Sequence, residues 1–439
     1  MSATSPAAPL HPAFVTVRQA SPRLRRFRAL SLGLLVASGM VNMMDRSTLA
    51  IAAPLVRQDL GLSVQDMGML LSAFLWTYAV AQLPIGALVD RAGPRLLLAC
   101  GQIVWSVAQA ACGLVGSFGQ FFAARMVLGV GEAPQFPICA RVVRDCFAPR
   151  DRGLPTGIFL TASTLGPALS APFITWLMLS FGWRWMFAIM GLAGIAVALV
   201  WFAFYRNPAK LALDADDRRY LAEDETISAR HITFAEWRSL FAHRTTWGMV
   251  LGFFGVIYLV WVYTAWLPGY LEMQRHMSIP HTGLIAAIPF LFGTLGSLCG
   301  GRLVDRLAAS GLAPINACKY PAAIGLAGMA LLTGAAALVD SNTLAVGLMC
   351  GALFIGFGGM SGSWAMVSVA APKNTVASLG SLMNCGGYFG GALAPMVTGM
   401  VVQSTHSFVP ALLTATVIGL AGAACYLLGV TKPLPEPQA

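Results

Sequence analysis

The chain is 439 residues long, 57% hydrophobic and only 10% charged, with 46 glycines and a formal net charge of +10. An ordinary soluble domain is about half apolar and about a quarter charged, so too few charges are available here to clothe a water-exposed surface. That excludes a soluble enzyme, a nucleic-acid binder and a disordered chain, and leaves an α-helical protein that crosses the membrane many times.

An N-terminal tail, 1–27, sets Arg23, Arg25 and Arg26 just ahead of the first apolar run, with Arg28 at its start. The run is too long for a signal-peptide core and has no small-residue cleavage site, so it reads as a retained span. Apolar runs lie at 28–52, 66–88, 95–116, 119–142, 153–178 and 184–205, then at 246–270, 281–304, 316–339, 343–370, 376–402 and 407–430. Each is close to the ~20 residues that an apolar helix needs to cross a bilayer. Twelve spans put both termini on one side. Only Arg57, Arg184 and Arg275 fall in connections on the other side, whereas Arg91, Arg95, Arg141, Arg144, Arg150 and Arg152 join the tails. Basic residues mark the cytoplasmic side, so both termini are expected there, and the +10 charge is a topology signal addressed to anionic lipid headgroups.

The two sets of six spans occupy 28–205 and 245–430, joined by a polar connector, 206–244, and followed by a tail, 431–439. Acidic and basic residues balance in the connector. Phe234, Trp237, Leu240 and Phe241 share one helical face in it, as a short interfacial helix would require; a plain linker and a regulatory segment both fit. The nine cysteines are scattered singly through apolar stretches without CxxC pairs or nearby His at ligand spacing, which indicates neither a disulfide frame nor a metal site.

The chain repeats itself. Gly86-Ala87-Leu88-Val89-Asp90-Arg91 ends the second span and Gly301-Arg302-Leu303-Val304-Asp305-Arg306 ends the eighth, nearly half the chain away. Two parallel six-span repeats carrying one cytoplasmic motif at the same place form transporters whose site lies near the midplane, between the halves. No GxxxxGK[ST] loop supports ATP use, and no HExxH, GxSxG or paired catalytic His supports an enzyme.

The segment GALVDRAGPR, 86–95, resembles the loop signature GxLxDRxGxR of the major facilitator superfamily. MMDRSTLAIAAP (43–54), FLWTYAVAQLPIG (74–86), RMVLGVGEAPQFP (125–137) and WLPGYL (266–271) resemble its anion:cation symporter branch, which includes bacterial galactonate, glucarate and hexuronate permeases. The resemblance spans about 28–430 and implies an all-α fold of twelve transmembrane helices in two pseudo-symmetric six-helix bundles.

Four charges fall deep inside predicted spans: Asp45, Arg46, Arg125 and Glu132. Each costs roughly 2.5–3.5 kcal/mol at a helix centre, so such residues face a bundle interior or a wet cavity. A structural ion pair between helices is the alternative to function. Arg125 and Glu132 are seven apart and share a helical face about 10 Å apart along the axis. Asp45 and Arg46 are adjacent and serve different neighbours; Arg46 facing the cavity and Asp45 facing Arg125 would satisfy both.

An Arg fork binds both oxygens of a carboxylate and keeps its charge. Proton carriage suits a carboxyl group in a dry interior, where burial disfavours the charged form. All six His lie in tails, in connections or near span ends, so proton coupling is expected of Asp45 and Glu132 with Arg125, without any cofactor but the proton gradient. The resemblance likewise associates Arg46 with the substrate anion and the two carboxylates with protons. Tyr78, Gln82, Tyr263, Ser361, Trp364, Asn384 and Tyr388 could complete a substrate site for a polyhydroxylated ligand, or serve as interhelical glue and belt aromatics. Asp90, Arg91 and Arg95, with Asp305 and Arg306, are expected to form a cytoplasmic gate; a topology anchor is the alternative.

The expected protein is a monomeric, proton-coupled importer of an organic anion in the bacterial inner membrane, the anion being a sugar acid such as a hexonate or hexarate. Its partners are that small anion, protons and the bilayer, with no nucleic acid. Aromatic or di- and tricarboxylic acids would need the same Arg, and an exporter, a sodium-coupled carrier and a membrane sensor are the remaining alternatives.

Overall fold

A computed structural model describes residues 20–147, 151, 153–207, 211, 214–221, 234–372 and 375–435, and every regular element among them is helical. The first half comprises α1 (Pro22–Leu60), α2 (Val64–Ala92), α3 (Pro94–Cys112), α4 (Phe118–Glu132), α5 (Gln135–Cys146), α6 (Gly153–Phe181) and α7 (Trp183–Phe204). The connector contributes α8 (Ala215–Leu221) and α9 (Phe234–Ser239). The second half comprises α10 (Arg244–Met273), α11 (Ile279–Ala309), α12 (Pro314–Leu338), α13 (Asn342–Ala370), α14 (Val376–Thr405) and α15 (Phe408–Ala424), the last running into a π turn, Cys425–Gly429.

Nine of the helices among the described residues are long and apolar enough to cross a membrane: α1, α3, α7 and all six of the second half. The other expected spans are α2, α6 and the fourth run, which is not one helix. Pro134 has no N–H to continue the ladder and its ring crowds the preceding turn, so α4 stops at Glu132 and α5 restarts at Gln135. The loose carbonyl of Ala133 is recovered by Gln82, whose Nε2 donates to it at 3.2 Å.

Local sequence sets the ends. Ser63 and Asp66 form a reciprocal capping box that starts α2. Gly61 (φ +63°) and Gly93 (φ +77°) take the left-handed backbone that lets α1 turn into α2 and α2 into α3. Pro94 then sits at the first position of α3, where its missing N–H costs nothing.

Within the first half α1 packs on α6 and α7, and α3 on α4 and α7; within the second, α10 packs on α14 and α15, and α12 on α13 and α15. Most contacts between the halves, among the described residues, come from α2 with α14, α6 with α11 and α1 with α10, and Phe74 of α2 also meets Trp261 of α10. Their contacts gather at the end away from the chain termini. The Val64 N–H donates to Gln403 Oε1 at 3.1 Å, Ser72 Oγ donates to the Ala392 carbonyl, and Arg57 Nη1 reaches Met273 Sδ at 3.2 Å. A Cβ on Gly68 would lie 2.7 Å from the Pro395 carbonyl oxygen and 3.1 Å from Gly399 Cα, so α2 and α14 cross backbone to backbone. Where α1, α6, α10 and α11 meet, a cavity of about 20 Å³ lined by Ser47, Ser170, Thr264 and Phe290 has room for one water. That end is sealed.

The connector does more than tether. Asp217 accepts from the backbone N–H and the hydroxyl of Ser21, at 2.9 and 2.7 Å, which fastens α8 to the start of α1. Arg28 donates to the Tyr220 hydroxyl at 2.7 Å, and that hydroxyl donates to Asp151. The single amphipathic helix expected around Trp237 is divided instead: α9 gives way to a 3₁₀ turn over Leu240–Ala242, with Leu240 buried and Trp237 exposed. The side chain of Phe234 lies outside the described residues.

Candidate functional site

The four intramembrane charges converge within the first half. Asp45, Arg125 and Glu132 are wholly buried, and Arg46 is 7% exposed. Arg46 Nε donates to Glu132 Oε2 at 2.7 Å, linking α1 to the last residue of α4. The guanidinium of Arg46 also lies over the rings of Tyr78 (4.9 Å) and Phe74 (5.5 Å), while that of Arg125 lies over Phe74 at 5.0 Å. One phenyl ring of α2 therefore carries both cations, through the attraction of its π face for positive charge.

The expected orientation of Arg46 and Asp45 holds in part. Arg46 faces Glu132 and two aromatic rings, and Asp45 turns back into the bundle within electrostatic range of Arg125. Asp45 and Arg125 form no hydrogen bond with each other, and all three guanidinium nitrogens of Arg125 and Nη2 of Arg46 lack a partner among the described residues. Trp105 stands beside the Asp45 carboxylate and Asn42 beside that of Glu132. Buried polar groups nearly always find partners. This concentration of unmet hydrogen-bonding capacity is what a site for water, protons and a polar ligand presents.

Behind the charges runs a neutral polar seam. The Ser38 hydroxyl of α1 lies 2.9 Å from Gln102 Oε1 of α3 and 2.8 Å from Gln135 Oε1 of α5, its single proton shared between them, and Gln109 Nε2 donates to Thr48 at 2.9 Å. Composition and spacing had not singled out Asn42, Trp105 or Gln109. Asn42 and Gln109 carry a signal in the i, i+4, i+7 polar stripes Ser38/Asn42/Asp45 and Gln102/Ser106/Gln109; Trp105 lies on neither stripe.

Of the neutral candidates, Tyr78 and Tyr388 meet across the halves, rings 4.7 Å apart and Tyr388 donating to Tyr78 at 3.2 Å. They stand next to Arg46. Gln82 is held by the break after α4, as described. Tyr263 pairs with Thr333 at 2.8 Å and Ser361 donates to the Ser297 carbonyl at 3.1 Å, both within the second half, which is the interhelical-glue role. Trp364 packs edge-on against Phe253 at 5.6 Å, and Asn384 is half-buried on α14.

The gate candidates lie at the other end. Arg91, Asp305 and Arg306 are exposed there, and the side chain of Asp90 lies outside the described residues. Arg95 goes elsewhere: its Nε and Nη2 donate to the Phe202 carbonyl at 3.0 and 2.8 Å, and its guanidinium covers the Phe202 ring at 4.3 Å. It thus caps the last turn of α7, where carbonyls lack partners and a cation is favoured.

The family model described as Major Facilitator Superfamily matches residues 35–395. Over 422 residues the chain is 42% identical to a protein of Escherichia coli (strain K12) described as a probable L-galactonate transporter, with 96% of this chain and 93% of that one covered. It is 33% identical over 408 residues to a probable galactarate/D-glucarate transporter of Bacillus subtilis (strain 168), covering 88% of each. A solved structure, a bacterial homolog to the human lysosomal transporter Spinster in an inward-facing and occupied conformation, matches with a TM-score of 0.77 at 19% identity, covering 94% of this chain and 97% of that one. At that identity the likeness concerns the fold alone.

Proposed function

The chain belongs to the major facilitator superfamily, and from that membership we propose that it imports a sugar acid together with protons across the bacterial inner membrane, by alternating access. The names of the similar transporters, for galactonate and for galactarate or glucarate, support the substrate class. The observation that carries the coupling is the 2.7 Å ion pair between Arg46 and Glu132. One guanidinium serves two carboxylates in turn. While Glu132 is ionised it holds Arg46. A proton on Glu132 removes that attraction and leaves the Arg46 fork to the carboxylate of the substrate. Proton and anion then favour each other's binding, and such linkage is reciprocal.

Behind Phe74, Asp45 balances the charge of Arg125. The bundles 28–205 and 245–430 rock about the site, with 206–244 as their connector. Given cytoplasmic termini, the packing of α2 on α14 closes the outer face in this conformation. Tyr78 and Tyr388 lie between that closure and Arg46. Import of an anion opposes an inside-negative potential by about 2.3 kcal/mol per charge per 100 mV. Protons at least equal in number to the ligand charge cancel that term. The protein carries its substrate unchanged and uses no cofactor beyond the proton gradient.

The test is uptake of L-galactonate by the purified protein in proteoliposomes. An inward proton gradient should drive accumulation and a protonophore should collapse it. Accumulation that survives the protonophore and depends on sodium, or no uptake of any sugar acid, overturns the reading.

A further inference from the structure

The distribution of cations limits how many carboxylates the site can take. We propose that it accepts one, so that the substrates are hexonates and related monocarboxylates, and that a hexarate, with a carboxylate at each end, is excluded; this deepens the proposed function and rests on it.

Within the membrane interior the sequence offers only Arg46 and Arg125 as cations. In the second half, residues 245–272, 282–301, 320–338, 342–370, 376–405 and 408–430 contain no Lys, Arg or His. Lys319, near the start of α12 and buried, is engaged by the Val430 carbonyl at 3.2 Å. Arg125 is withdrawn from a ligand. It is wholly buried, lies against Phe74 at 5.0 Å, and has Asp45 as well as Glu132 as nearby counter-charges. Arg46 is the remaining cation. It is slightly exposed, its Nη2 has no partner, and the proton that neutralises Glu132 releases a single positive charge.

The groups beside Arg46 that can bind the rest of a ligand are the neutral phenols of Tyr78 and Tyr388. These suit hydroxyl groups, which donate and accept. A second carboxylate at the far end of a six-carbon chain would lose its hydration and gain neutral partners only, and an unpaired buried charge is strongly disfavoured.

Galactarate differs from galactonate only at C6, where a carboxylate replaces a hydroxymethyl group. Its monomethyl ester keeps the chain length and removes the second charge. Calorimetric titration of the purified full-length protein at neutral pH with L-galactonate, galactarate and galactarate monomethyl ester separates charge from shape. L-galactonate should bind, galactarate should bind at least tenfold more weakly, and the monoester should recover most of the loss. Equal affinity for galactarate overturns this inference and leaves proton-coupled sugar-acid import standing. A monoester as weak as galactarate also overturns it, because the discrimination is then one of shape. If none of the three binds and proteoliposomes take up no sugar acid, both readings fall together.

Discussion

Arg46 and Glu132 are joined at 2.7 Å from α1 to the last residue of α4, immediately before the break at Pro134. Glu132 is thus the end of a helix and not its middle. Removing one member of a buried pair leaves an uncompensated charge at a cost of about 3–5 kcal/mol. Substitutions here have to preserve volume and hydrogen bonding, or they report on folding instead of transport.

Glu132→Gln meets that condition and fixes the neutral state. Substrate binding should survive and lose its pH dependence, and exchange of internal for external substrate should continue. Accumulation driven by a pH gradient should vanish in the same proteoliposomes. A Gln variant that still concentrates substrate moves the coupling role to Asp45.

Arg46→Lys keeps the charge and loses the planar fork. Hydrogen bonds to charged groups contribute about 1.5–3 kcal/mol, so affinity for the anion should fall roughly 10- to 100-fold. Calorimetric titration decides, and near-wild-type affinity in the Lys variant would show that Arg46 is a structural charge.

Tyr388→Phe removes the phenol that donates to Tyr78 across the halves and leaves the ring contact in place. A hydrogen bond of this kind contributes about 0.5–1.5 kcal/mol. The sealed end should open more often, read as faster alkylation of a single cysteine placed at Ser72 in an otherwise cysteine-free background. Unchanged labelling would mean that the ring packing alone holds the halves together.

Asp90→Asn tests the gate at the opposite end. A latch alters the balance between conformations and not the ligand cavity, so the transport rate should drop several-fold while affinity stays within about twofold. A proportional loss of affinity with the fold intact would falsify the latch.

The long apolar runs announced the spanning helices, because a bilayer demands about 20 apolar residues and little else. The break in the fourth span was readable in principle, since Pro134 and Pro137 sit inside its run; a hydropathy average does not see a missing N–H. That the four charges turn inward was legible for the energetic reason that they do not belong in lipid. Which charge faces which is a matter of helix rotation, and adjacency told only that Asp45 and Arg46 diverge. Neutral residues were harder. Tyr388 and Ser361 look alike to a sequence reader, yet one closes the interface between halves and the other fastens two helices of the same half. Arg95 shows the remaining difficulty: a motif position at a helix start met a free carbonyl on α7, a partner distant in sequence.

The crossing of Gly68 and Gly399 makes a single methyl group a switch for trapping. A Cβ at Gly68 meets backbone that cannot rotate aside, and overpacking of this kind costs typically 1–3 kcal/mol. Only the form in which α2 and α14 touch bears that cost. Each ~1.4 kcal/mol is a tenfold change in an equilibrium, so Gly68→Ala would tilt an evenly balanced molecule roughly 5- to 150-fold toward the parted form. The opposite face of the cycle then becomes the abundant species, available for crystals, for conformation-selective antibodies and for ligands that enter from that side.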